Sequence, residues 1–159
     1  MIGLAVVAGV ALQGWNLVWQ DEFNVDGRPD PAKWGYEVGY IRNNELQYYT
    51  DNRPENVRVE NGNLVIECRK DNFQEKPITS GSINTLGKAG WTYGRIEVRA
   101  KIPTGLGSWP AIWMMGVDRA KLGWPLCGEI DIMENVGFQP DNVFATVHFP
   151  TGVRREHKS

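Results

Sequence analysis

Three carboxylic acids fall within six residues in the stretch Gly128–Glu129–Ile130–Asp131–Ile132–Met133–Glu134. On an extended strand Glu129 and Asp131 point to one face, whereas Glu134, five positions after Glu129, points to the other. A one-residue bulge near Ile132–Met133 restores the phase and gathers all three acids on one face. Ile130 and Ile132 then pack into a core beneath. Like charges side by side repel, so a purely structural strand avoids this arrangement. A carboxyl pair is what retaining glycoside hydrolysis requires: one group attacks the anomeric carbon, the other protonates the leaving oxygen, and the two stand about 5–5.5 Å apart. Backbone positions four strand steps apart are separated by about 13 Å. The two Glu side chains must therefore lean together over the shorter Asp131 on a bent, concave sheet. Repulsion raises one pKa, so that one Glu keeps its proton while its neighbour is ionised. The competing readings are a solvated acidic face and a calcium-type cluster, but calcium loops set their ligands in Gly-containing turns rather than between Ile residues.

Other reactive side chains lie close in sequence. Cys127, two residues before Glu129, invites a thiol reading, yet it sits in a Gly-flanked loop without an orienting acid of its own. His148 lies in Thr146–Val147–His148–Phe149, where a lone His on an apolar strand is ordinarily a satisfied core residue. Trp109, Trp113 and Trp124 flank the acidic stretch. Flat indole faces suit stacking on the C–H faces of sugars, and each is equally suited to a core. Two cysteines, Cys68 and Cys127, are too few for a disulfide scaffold and lack metal-ligand spacing; a single bridge between them stays open.

The elements that must position these residues are strands. No run holds a 3.6-residue apolar period, and no repeat of 20 to 50 residues occurs. Val57–Glu60, Asn61–Gly62 and Leu64–Cys68 read as a hairpin, because Asn-Gly supplies the two positive φ values of a tight turn. Arg95–Ile102 alternates charged and apolar residues and predicts a strand with one wet face and one core face. Asp30–Pro31–Ala32–Lys33 predicts one helical turn with an Asp N-cap. Many short strands separated by Gly, Pro and Asn turns point to an all-β, two-sheet sandwich or jelly roll.

Composition bounds the rest. The chain has 159 residues, 42% of them hydrophobic, enough for one domain with a real core. Seventeen Lys and Arg against 19 Asp and Glu leave a formal charge of −2, without a basic stripe, so the sequence predicts neither a nucleic-acid nor a membrane partner. A neutral partner fits better. Seven Trp and 18 Gly suit a turn-rich β-protein that presents aromatic faces. Residues 1–12 are apolar and uncharged, with Gly9 and Ala11 where a signal peptidase accepts small residues. They are too short for the roughly 20 residues that span a bilayer. The expectation is a signal-peptide remnant ahead of a domain over 13–159, and a secreted, periplasmic or extracellular location.

The acidic strand with its preceding Trp124–Pro125 resembles the active-site strand of glycoside hydrolase family 16, in its laminarinase branch. The resemblance extends to Trp19–Gln20–Asp21–Glu22–Phe23, Asn44–Glu45–Leu46–Gln47–Tyr48–Tyr49, Tyr93–Gly94–Arg95–Ile96–Glu97 and Ser108–Trp109–Pro110–Ala111–Ile112–Trp113. It implies a jelly-roll β-sandwich of two antiparallel sheets with a concave substrate cleft. It implies Glu129 as nucleophile, Asp131 as assisting acid, Glu134 as acid/base, and His148 as a residue that orients or charge-balances them. Trp109, Trp113 and Trp124 match positions that line sugar subsites, and Asn44 is a candidate for hydrogen bonding sugar hydroxyls or simply a turn residue. No cofactor is required for catalysis; Glu22 and the Gly62 carbonyl match positions that hold a structural calcium in some relatives.

The expected activity is endo-hydrolysis of β-1,3-glucan by double displacement. The alternatives are a non-catalytic β-1,3-glucan-binding module and a relative acting on agar, carrageenan or mixed-linkage glucan. Retention of Glu129 and Glu134 speaks against the first. The bulged spacing speaks against the mixed-linkage-only and transglycosylase branches, whose pattern lacks the extra residue. Domains of this family usually run to about 200–250 residues, so the sequence predicts missing C-terminal strands, a monomer for the full domain, and association of the shorter chain.

Overall fold

The structure, a computed structural model, describes residues 14–151. The expected leader over residues 1–12 lies outside the described residues. The chain divides into two compact units, Met1–Lys88 and Ala89–Ser159.

In the first unit the strands are short: β1 Gly35–Tyr36, β2 Tyr48–Tyr49, β3 Val57–Glu60, β4 Asn63–Ile66, β5 Thr79–Ser80 and β6 Ile83–Asn84. β3 and β4 form the expected antiparallel hairpin, with Glu60 opposite Asn63 and Val57 opposite Ile66. Its turn has φ of 51° at Asn61 and 72° at Gly62, the left-handed pair that Asn-Gly tolerates. β1 and β6 pair antiparallel, and β2 and β5 pair parallel. Asp30 caps one turn as its sequence predicts: the Ala32 N–H donates to Asp30 Oδ1 at 2.8 Å, and the N–H groups of Lys33 and Trp34 donate to the Asp30 carbonyl. The centre of this unit is partly polar. Val57 and Val59 are buried beside Asn56, Thr79 and Thr50. Asn56 Nδ2 donates to the Glu67 carbonyl and Thr79 Oγ1, and Asn56 Oδ1 accepts from Thr50 Oγ1 and Arg53 Nη1. Burial of this amide is tolerable because both its ends are bonded.

The second unit carries β7 Ala111–Met115, a four-residue helix α1 Arg119–Leu122, β8 Glu129–Glu134 and β9 Phe144–His148. β8 is the middle strand of an antiparallel sheet in the order β7-β8-β9. Two expectations are corrected here. Arg95–Ile102 forms no strand among the described residues, because no neighbouring segment offers it a ladder of hydrogen bonds. Its alternation survives only locally, as in the 2.5 Å contact of Arg95 with Glu97 two positions on. Ile130, expected in the core, is 46% exposed, and Ile132 is only half-buried. The cysteines are both free, so the Cys68–Cys127 bridge is not made.

Candidate active site

The acidic strand is bulged where its sequence demands it. Against β7, Met133 faces Ile112 and Asp131 faces Trp113, which leaves Ile132 without an opposite residue. Against β9, Asp131 faces Thr146 while Glu134, three residues on, faces Phe144, two residues back. β8 thus holds one extra residue relative to both neighbours, and Glu134 returns to the face of Glu129 and Asp131. Paired residues of adjacent strands share a face. The acids therefore stand in a field made by Ala111, Trp113 and Met115 from β7 and by Phe144, Thr146 and His148 from β9.

Asp131 is the buried member, 4% exposed, and its Oδ2 lies 3.0 Å from His148 Nε2. Glu129 is directly opposite His148. Burial, then the nearby charge of Asp131, pushes the Glu129 carboxyl above the usual range, while His148 and a hydrogen bond from Trp124 pull it back. The raised carboxyl is that of Glu129, the expected nucleophile, and burial is the larger cause, whereas the sequence reading has repulsion raise the Glu that keeps its proton. Glu129, Asp131 and His148 each offer a ligand atom within 4.8 Å of the others, the one grouping of three potential metal ligands among the described residues.

The three indoles occupy different places. Trp124 is 59% exposed, precedes Pro125 through a cis peptide bond, and sets its ring 5.8 Å from that of His148. Trp113, half-buried, faces Asp131 across the ladder. Trp109 is 65% exposed, yet its Nε1 donates to Glu134 Oε1 at 2.9 Å. That contact has no signal in the sequence beyond the residue type. A second missed residue is Asn135, 1% exposed, whose Nδ2 donates to the carbonyls of Pro140 and Asn142 and so ties down the loop after Glu134. Asn135→Ala leaves both carbonyls short of a donor and is expected to destabilise the protein by about 1–3 kcal/mol. The midpoint of urea unfolding measures it.

Asn44, Glu22 and Gly62 belong to the first unit. Asn44 is exposed at φ 53°, next to Asn43 at φ 55°, in a turn closed by the Glu45 N–H on the Arg42 carbonyl. Glu22 lines a recess of about 240 Å³ with Asp21, Asp30 and Lys33, and Gly62 lies in the β3–β4 turn instead. Asp21 is already engaged by the Phe23 N–H, the Trp34 indole and Lys33. Calcium takes six to eight oxygens, and at this recess Asp21, Glu22 and Asp30 supply carboxylates.

Comparison with known proteins adds the following. Residues 6–125 match the family model of β-glucan synthesis-associated proteins SKN1/KRE6/Sbg1, a stretch that ends before β8. A β-glucanase of Rhodothermus marinus is 51% identical over 159 residues, 91% of this chain and 55% of that protein. The glucan endo-1,3-beta-glucosidase A1 of Niallia circulans is 42% identical over 165 residues, 93% of this chain and 24% of that protein. Among solved structures, a non-specific endo-β-1,3(4)-glucanase from family 16 of the glycoside hydrolases superposes with a TM-score of 0.82 at 50% identity, covering 86% of this chain and 57% of that one. The chain thus spans about half the length, or less, of these relatives. On this likeness the fold class is the all-β jelly-roll sandwich that its strand pattern predicts.

Proposed function

Since the chain belongs both to the SKN1/KRE6/Sbg1 family of β-glucan synthesis-associated proteins and to the laminarinase branch of glycoside hydrolase family 16, we propose that the protein is an endo-acting, retaining β-1,3-glucanase. The observation that carries this is the bulge in β8, which puts Glu129, Asp131 and Glu134 on one face of a central strand. In this reading Glu129 attacks the anomeric carbon while Glu134 gives its proton to the departing glycosidic oxygen. The glycosyl ester formed on Glu129 is then cleaved by water, whose proton passes to the Glu134 carboxylate. Asp131, buried and bonded to His148, holds a fixed acid beside the nucleophile and is itself anchored by the imidazole. Trp113 and Trp124 offer the indole surfaces for sugar rings. A β-1,3-linked substrate is favoured by the Niallia relative, and a sulfated one is disfavoured by a charge of −2 without a basic cluster. Such a polymer cannot cross a membrane, which makes an extracellular or periplasmic place of action part of the same proposal.

The test is proton NMR of laminarin digestion. New reducing ends are expected to appear first as the β-anomer and to mutarotate afterwards. First release of the α-anomer defeats the retaining mechanism, and binding without new reducing ends favours the non-catalytic glucan-binding module.

The raised carboxyl of Glu129 has a kinetic consequence. A nucleophile must be ionised, so kcat/KM falls on the acid side through a pKa above that of an ordinary Glu. Asp131→Asn removes a raising charge and is expected to move that acid limb to lower pH. His148→Asn removes a lowering one and moves it to higher pH. The two shifts have opposite sign, and pH profiles of kcat/KM read them directly.

A further inference from the structure

An indole N–H can only donate a hydrogen bond, whereas each oxygen of a carboxyl accepts one and either can carry the proton. Trp109 Nε1 donates to Glu134 Oε1 at 2.9 Å. While that bond stands, Oε1 is an acceptor, and the proton of a neutral Glu134 belongs on Oε2. We propose that Trp109 is the positioning residue of Glu134: it occupies one carboxyl oxygen and leaves the other as the single site from which a proton is delivered and to which it returns. This rests on the reading of Glu134 as the acid/base.

The neighbourhood of Trp109 is built to keep the contact. The residues on both sides of the indole are bonded to the chain that follows Glu134. The Asn135 N–H donates to the Pro110 carbonyl at 3.2 Å, and the Gly137 N–H donates to the Ser108 carbonyl at 2.9 Å. Ser108 is held in turn by the Gly105 carbonyl, through its N–H at 3.2 Å and its hydroxyl at 2.8 Å. The approach is so close that a Cβ on Gly137 would stand 1.7 Å from the Gly105 carbonyl oxygen and 2.7 Å from Ser108 Oγ. Only glycine fits there. The backbone on either side of Trp109 is therefore fixed against the segment that follows Glu134.

The choice of an indole also suits a group that must act in two protonation states. As a neutral donor it bonds to the carboxyl and to the carboxylate alike, and orients both without bringing a charge to the site. Trp109 as a whole residue stays 65% exposed, so a stacking surface and an orienting N–H reside in one side chain. The two uses are separable by substitution. Trp109→Phe keeps most of the flat face and loses the N–H; Trp109→Ala loses both.

The experiment combines kinetics with a spectroscopic readout of the bond. On a laminarin oligosaccharide, where the leaving group needs a proton, Trp109→Phe is expected to lower kcat about 10- to 100-fold, part of the 10²–10⁴ that a positioned acid supplies, with KM changed by no more than about 2-fold. On an aryl β-glucoside with a dinitrophenolate leaving group, kcat/KM should stay within about 3-fold of the parent, since that departure needs no acid. Trp109→Ala should lower kcat and raise KM together. A rise in KM at constant kcat for Trp109→Phe, or equal losses on both substrates, overturns the positioning role. In ¹⁵N-resolved spectra the Trp109 indole proton is expected to move upfield in Glu134→Ala; an unmoved resonance overturns the contact whatever the enzyme does. Glu134→Ala on the same two substrates tells the failures apart. If it shows no dependence on leaving group, the acid/base reading falls and the positioning role with it. If it shows that dependence and Trp109→Phe does not, the positioning role alone falls.

Discussion

Glu129→Gln is expected to reduce laminarin hydrolysis by about 1000-fold or more, equivalent to about 4 kcal/mol of transition-state stabilisation at 1.36 kcal/mol per tenfold. The amide cannot form the covalent glycosyl intermediate, and neither Asp131, buried against His148, nor Glu134, bonded to Trp109, stands in its place. Binding of laminarin oligosaccharides should survive, because the indole surfaces are untouched. Calorimetric titration beside a reducing-sugar assay measures both, and activity within tenfold of the parent ends the assignment of Glu129. The same variant should also be more stable at neutral pH. Burial and Asp131 raise the folded-state pKa of Glu129, so its contribution to stability is greatest below the pKa of the unfolded chain and is lost as pH rises through the folded value. Gln escapes that loss. The gain in Tm over the parent should be present near pH 7 and shrink toward pH 4.

Glu134→Ala should show an effect that depends on what departs. On laminarin, loss of general acid and general base is expected to lower kcat by about 10²–10⁴-fold. On a dinitrophenyl glycoside kcat/KM should stay near the parent value, while kcat falls because water still needs a base to release the glycosyl ester from Glu129. Azide, a nucleophile that needs no base, should restore that kcat and yield a β-glycosyl azide. Equal losses on both substrates and no response to azide would remove the acid/base assignment.

These expectations draw on features that differ in how far the sequence discloses them. The β8 bulge and the Asn61–Gly62 turn were legible because each follows from a few contiguous residues: the parity of three acids in one case, the φ tolerance of two residues in the other. Arg95–Ile102 misled because alternation describes what a strand wants from its two faces, while a strand exists only where a second segment pairs with it. Ile130 misled for a related reason, since an apolar residue on the reverse face is buried only by what covers that face, and here it remains 46% exposed. The site was legible in its residue types but not in its bonds. That Trp109 spends its N–H on Glu134, or that Asn135 closes the following loop, depends on segments meeting at distances that spacing does not encode.

The extra residue in β8 also bears on how the strand tolerates changes of length. Removing one residue from a central strand ordinarily turns everything beyond it inside out. Here Ile132 is surplus to the pairing with β7, the extra residue against β9 falls within Ile132–Met133, and Glu134 faces Ala111 and Phe144 in step with both neighbours. Loss of one codon at Ile132 or Met133 would leave a Glu-x-Asp-x-Glu strand whose acids fall on one face by plain alternation. The bulged and straight forms are thus neighbours in sequence space, one in-frame deletion apart. A lineage could pass between them without a step at which the carboxylates corresponding to Glu129 and Glu134 face away from each other.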